Sequence, residues 1–140
     1  MKQILLPLAL LCTLSVRAQK AEDYPFMTIG GRIGLIAVKQ PEIKRYVPSS
    51  YSFDFITGFE DYSWFGEFTA GYNGSPVVSI SAGASFHLGE DIRIQPLLGV
   101  STQDMFVGLR IHIGEFFIQA NAGTTTRQAV IGFRGPIFER

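Results

Sequence analysis

The sequence predicts an all-β protein, a closed eight-stranded antiparallel up-and-down transmembrane β-barrel preceded by a signal peptide. Three observations point there. Apolar and polar residues alternate with period two over eight segments. The charges within those segments fall on one face, and that face is otherwise mostly glycine, serine and threonine. Val107 to Gly114, V-G-L-R-I-H-I-G, shows all three at once. Successive strand side chains point to opposite sides, so Val107, Leu109, Ile111 and Ile113 oppose Gly108, Arg110, His112 and Gly114. A soluble sheet buries its apolar face and wets its polar one. A small polar face beside a greasy one suits a cramped polar interior inside an apolar wall.

Composition agrees. The chain has 140 residues, 12 basic and 12 acidic, for a formal net charge of zero. Nothing in that balance calls for nucleic acid or an acidic substrate. Only 17% of residues are charged, while there are 15 glycines and 13% aromatics. These biases fit a β-rich chain in contact with lipid.

Residues 1–18 read as a cleaved signal peptide and 19–140 as one barrel domain. Lys2 supplies the positive start, Ile4 to Leu14 the apolar segment, and Val16-Arg17-Ala18 a small residue before a cut at Gln19. The apolar run is too short to span as a helix, and none longer follows. Cys12 is the sole cysteine, and Leu11 stands before it where lipid attachment wants a small residue. The mature chain then has no cysteine, hence no disulfide and no thiolate chemistry.

The elements follow in order. The first strand, about Phe26 to Val38, sets Met27, Ile29, Ile33 and Leu35 against Thr28, Gly30, Arg32 and Gly34. Lys39 to Ser50 is charged, carries two prolines, and reads as the longest loop. The second strand, Tyr51 to Phe59, puts Tyr51, Phe53, Phe55 and Phe59 opposite Ser52, Asp54 and Gly58, with Ile56 as a misfit. Glu60-Asp61 turns into the third, Tyr62 to Tyr72. There Tyr62, Trp64, Phe68, Ala70 and Tyr72 oppose Ser63, Glu67, Thr69 and Gly71, with Phe65 out of pattern.

Asn73-Gly74-Ser75-Pro76 is a strong turn signal. The fourth strand, Val77 to Leu88, alternates from Val78 to Leu88 against Ser79, Ser81, Gly83, Ser85 and His87. The fifth, Ile92 to Val100, contains Pro96, which lacks the N–H of an interior strand residue, so a bulge or break is expected there. The sixth holds the opening stretch. The seventh, Phe116 to Thr124, and the eighth, Gln128 to Arg134, complete the set, with Gly135 to Phe138 as an irregular extension. Eight is the smallest usual number for a closed membrane barrel, and the strand lengths suit a tilted bilayer crossing.

Arg32, Asp54, Glu67, Arg93, Arg110 and Arg134 all fall on the small face, with His87 and His112, and Glu60 at the rim. An arginine facing lipid at the midplane costs about 2–4 kcal/mol. Inside an eight-stranded barrel, only wide enough for side chains to fill, it can pair with a carboxylate instead. The expected lumen is therefore a filled polar network of Arg32, Asp54, Glu60, Glu67, Arg93, Arg110, His112 and Arg134, without a water channel. Aromatics such as Tyr51, Phe59, Trp64, Tyr72 and Phe116 sit on the greasy face near strand ends, as interface girdles do. Short turns at Glu60-Asp61, Gly89 to Asp91 and Gly114-Glu115 alternate with connections of equal or greater length, so the short ones are assigned to the periplasm.

On this pattern the mature chain resembles the small eight-stranded outer-membrane barrels of the OmpX and OmpA transmembrane type. The resemblance implies a Gram-negative outer membrane, insertion by the outer-membrane machinery, and a structural or surface-interaction role. Such chains commonly end in an aromatic residue; here Glu139-Arg140 follow Phe138.

No catalysis, cofactor or metal is expected. Ser85 and His87 share a strand face inside the barrel, whereas a lipid-modifying site should open to the membrane. The two histidines lack metal-ligand spacing, and Gly30-Gly31 precedes no helix or Gly-Lys-Ser/Thr. Lys39, Lys44 and Arg45 are candidate loop contacts to anionic lipopolysaccharide or to a surface partner met through residues 39–50. Three other readings stay open: a lipid A-modifying barrel enzyme, a soluble periplasmic ligand-binding barrel, and one part of a larger, porin-like pore.

Overall fold

A computed structural model describes residues 25–139, without the Glu139 side chain. The signal peptide, Cys12 and Arg140 lie outside the described residues, as does the leader up to residue 24. The chain forms nine segments: β1 (Pro25–Gln40), β2 (Arg45–Glu60), β3 (Trp64–Tyr72), β4 (Pro76–Ala84), β5 (Phe86–Leu88), β6 (Ile92–Ser101), β7 (Met105–Ile113), β8 (Phe116–Gly123) and β9 (Thr126–Glu139). All pairings are antiparallel: apart from β4 and β5, which both pair with β6, each segment pairs with its sequence neighbour, and β1 pairs with β9. β4 and β5 are one stave interrupted at Ser85, so the barrel closes with eight staves and no helix among the described residues.

The break at Ser85 has a local cause. β6 runs unbroken through Pro96, which keeps its place opposite Leu109. On the other side the ladder opens: pairing stops at Gly83–Leu97 and resumes at Phe86–Ile94. Pro96 has no N–H to give that neighbour. The irregularity expected within the proline's own strand therefore falls on the partner stave. The Ser85 N–H faces the other neighbour and continues the β3 ladder onto the Ser63 carbonyl at 2.9 Å.

Three further expectations are corrected. Residues 39–50 are not a loop. β1 and β2 continue as a hairpin through Val38–Val47 and Lys39–Tyr46 to a turn at residues 41–44. A register shift after Ile36 absorbs the extra residue at Ser49. Lys44 adopts a left-handed φ of 53° to close the turn. The turns at the two ends are also similar in length. What separates the ends is this hairpin, which extends beyond the β3–β4 turn because β2–β3 pairing begins only at Phe53–Tyr72. Tyr62, placed on the greasy face by the sequence, lies in the turn before β3, with its ring stacked on His87 at 5.8 Å.

The outer wall is apolar. Phe53, Leu98 and Met105 are 60%, 67% and 69% exposed. The residues out of pattern point inward: Ile56 and Phe65 are fully buried in the lumen. Ile56 joins Phe117 and Val130 in a small apolar cluster there. The glycines beside them give clearance. A Cβ on Gly30 would lie 2.0 Å from the Phe133 carbonyl oxygen, and one on Gly34 2.2 Å from that of Ala129. Gly31, on the outer face, has room, with the Phe133 ring 3.5 Å from where its Cβ would stand.

Candidate functional site

The lumen is built around two carboxylates serving three guanidiniums. Glu67 on β3 accepts from Arg110 Nη1 and Nη2 of β7 at 2.8 and 2.5 Å, and from Arg134 Nη1 of β9 at 3.0 Å. Ser81 adds a fourth bond at 2.9 Å. Glu60 on β2 accepts from Arg93 Nη1 at 3.1 Å and from Gln95 Nε2, with Arg134 Nε at 4.0 Å. Glu60 is thus inside the lumen, not at its rim. Arg93 also contacts His112 Nδ1 at 3.2 Å and the Gly114 carbonyl at 3.1 Å. Arg32 pairs separately with Asp54, 2.8 Å away on the neighbouring strand.

The aromatic misfits have a role here. The Arg110 guanidinium lies between the Phe65 and Phe117 rings, 5.2 and 4.8 Å from their centroids. Arg134 lies 5.7 Å from Phe65. Ring faces are electronegative, so they suit guanidiniums sharing too few carboxylates. From Arg110 a polar chain climbs toward the hairpin end: Nε to Gln119 at 2.7 Å, Gln119 to Asn121 at 2.8 Å, Asn121 to Gln128 at 2.9 Å, and Gln128 to Ser52 at 3.1 Å. Beside it is a cavity of about 40 Å³, lined by Arg32, Asp54, Asn121 and Gln128 among others. That is room for a water or so.

At the termini end, Ser85 Oγ takes a hydrogen bond from Gln95 Nε2 at 3.1 Å. Ser85 and His87 are both buried inside. Among the described residues no group of three or more His, Cys, Asp or Glu is arranged to hold a metal ion.

At the hairpin end, Lys39, Lys44 and Arg45 are exposed at the tip. Sequence reasoning missed two neighbours. Arg127 extends from β9 across Ala37 to Tyr46, its guanidinium 4.5 Å from the ring centroid. Asp104, in the turn after β6, accepts from the backbone N–H and hydroxyl of each of Thr124, Thr125 and Thr126. Burial pushes the Asp104 carboxyl up, but these donors outweigh it and hold the group well below the usual carboxylate range. It ties the β6–β7 turn to the β8–β9 turn. Period-two reading carries no signal for a bond between turns.

Known structures share this architecture. Ail, the attachment invasion locus protein of Yersinia pestis, superposes with a TM-score of 0.50 at 16% identity, covering 79% of this chain and 99% of Ail. The fold is that of a small outer-membrane barrel. The de novo designed protein TMB2.3 matches with a TM-score of 0.50 at 9% identity, over 83% of this chain and 98% of its own. No family model matches the chain. No curated protein matches it either. The barrel's likeness to these structures is therefore one of architecture.

Proposed function

We propose that the barrel is an integral protein of a Gram-negative outer membrane, with a structural or surface-interaction role carried by its hairpin end. The observation that carries this reading is the sorting of side chains. The outside is an apolar wall, and the inside is filled by crossed Arg–Glu pairs. A soluble ligand-binding barrel needs the reverse outside and an open cavity within. A conducting pore needs a lumen wider than the plug around Glu67 leaves. Ser85 and His87, enclosed at the termini end, favour a non-catalytic role.

In this reading the signal peptide is cleaved, the insertion machinery places the barrel, and the termini face the periplasm. Lys39, Lys44 and Arg45 then stand at the level of anionic lipopolysaccharide, available to it or to a surface partner. Cell fractionation with gel mobility before and after boiling tests the proposal. The expected result is outer-membrane recovery with a heat-dependent shift. Recovery in soluble periplasm without a shift overturns it. Altered lipid A on overexpression, lost in His87→Ala, would favour the enzyme reading instead, and steady conductance from purified protein the pore.

A further inference from the structure

The lipid-facing side of β7, β8, β9, β1 and β2 is not a uniform wall. The register sets Leu109, Ala120, Ala129, Leu35 and Tyr51 side by side across it. The next row toward the hairpin is Val107, Ala122, Arg127, Ala37 and Pro48. Ala120 and Ala129 lie between Leu109 and Leu35 in the first row, and Ala122 and Ala37 flank Arg127 in the second. The result is a trough with an alanine floor. Its upper parts are depressions of about 670 and 650 Å³ that share Leu35, Ala120 and Ala129. A third, of about 830 Å³, continues it toward the termini end past Ile131 and Phe133.

The trough ends at cations. Arg127 lines its top, with Nη1 anchored on the Gly123 and Thr126 carbonyls and the guanidinium plane on Tyr46. Lys39 faces Tyr46 across the β1–β2 ladder, and its backbone N–H is fixed on the Thr125 carbonyl at 2.8 Å. Both residues are exposed, and neither makes an ion pair among the described residues. Long apolar troughs that end in paired cations match one class of molecule, an amphiphile with an anionic head and an extended hydrocarbon tail.

We propose that this face binds a phosphorylated lipid of the outer leaflet, with its phosphate between Arg127 and Lys39 and an acyl chain on the floor of Ala120, Ala122 and Ala129. The inference rests on the outer-membrane reading above, which sets the hairpin end outward. Charge decides against a second copy of the barrel as occupant. Two such faces pressed together would bring Arg127 and Lys39 against their counterparts, and like charges in contact are costly. A free phosphate would use the cations but leave the trough without purpose.

Native mass spectrometry of the folded barrel in non-ionic detergent tests this, with phosphorylated lipid A, dephosphorylated lipid A and inorganic phosphate as probes. The expected result is one phosphorylated lipid A retained per barrel. Arg127→Gln and Lys39→Gln should each lower retention about fivefold, the effect of one interfacial cation. Ala129→Leu, which fills the floor and leaves both cations, should lower it as well. Boiling-dependent mobility on gels checks that each variant is folded. Equal retention of dephosphorylated lipid A, or by Arg127→Gln and Lys39→Gln, overturns the proposal. Inorganic phosphate displacing the lipid at equal concentration overturns the trough's part in it. Barrel dimers lost in Ala129→Leu would identify a second copy as the occupant and overturn it too. Failure of a folded barrel to bind leaves the outer-membrane reading intact, because fractionation tests that separately.

Discussion

Glu67 and Arg110 meet across the barrel from β3 and β7 through two hydrogen bonds, and both are buried out of contact with water. Arg134 reaches the same carboxylate from β9. Removing that one negative charge strands the Arg110 guanidinium and leaves Arg134 only Glu60, 4.0 Å from its Nε. Glu67→Gln should therefore lower stability by about 3–5 kcal/mol. Urea unfolding of the barrel in lipid vesicles reads the change. Truncating Arg134 in the same chain should recover part of the loss, and a double variant as unstable as the sum of its singles would contradict the shared-carboxylate arrangement.

Adjacent glycines on β1 should respond oppositely. An added methyl at Gly30 meets backbone, which cannot give way, so Gly30→Ala should cost about 1–3 kcal/mol. Gly31→Ala meets the Phe133 ring and the Asp54 carbonyl oxygen at ordinary van der Waals distance and should be near neutral. Comparing their unfolding midpoints checks both.

This pair shows what could be read from the sequence and what could not. Gly30 and Arg32 on one face, Ile29 and Ile33 on the other, follow from period two alone, and so does the number of staves. Partnership does not. That Glu67 serves β7 and β9 depends on stagger around a closed sheet, which local alternation leaves undetermined. Phe65 and Ile56 looked like errors in the pattern, because nothing local says that a polar lumen needs apolar walls for its arginines. Residues 39–50 looked like a loop because of proline and charge. Long-range pairing to β1 overrode that composition.

Asp104 should act as a latch between two turns. Asp104→Ala should speed amide exchange at Thr124, Thr125 and Thr126 about tenfold, the effect of losing hydrogen bonds to a charged acceptor. The pH dependence has a definite sign. The folded carboxyl lies below its ordinary value of 3.8. Its contribution is therefore full above that pH and is lost as pH falls through the folded value. Exchange at these amides should stay slow through mild acid. Acceleration already near neutral pH would contradict the latch.

Trp64 is the single tryptophan, exposed on the outer wall near the termini end, with Phe59 edge-on at 5.3 Å. Its emission should shift to the blue when the barrel enters vesicles. Lipids brominated close to the headgroup should quench it more than lipids brominated at the chain ends. The reverse order would move the residue to the bilayer centre.

The crossed pairs in the lumen also set the barrel's girth. Glu67 to β7, Glu67 to β9 and Glu60 to β6 are chords of fixed length drawn across one cross-section. They act as spokes, resisting flattening in any direction they span. A ninth or tenth stave would stretch every one beyond reach, and fewer staves would leave the arginines no room. The residues that make the interior polar thus gauge how many strands the wall can hold.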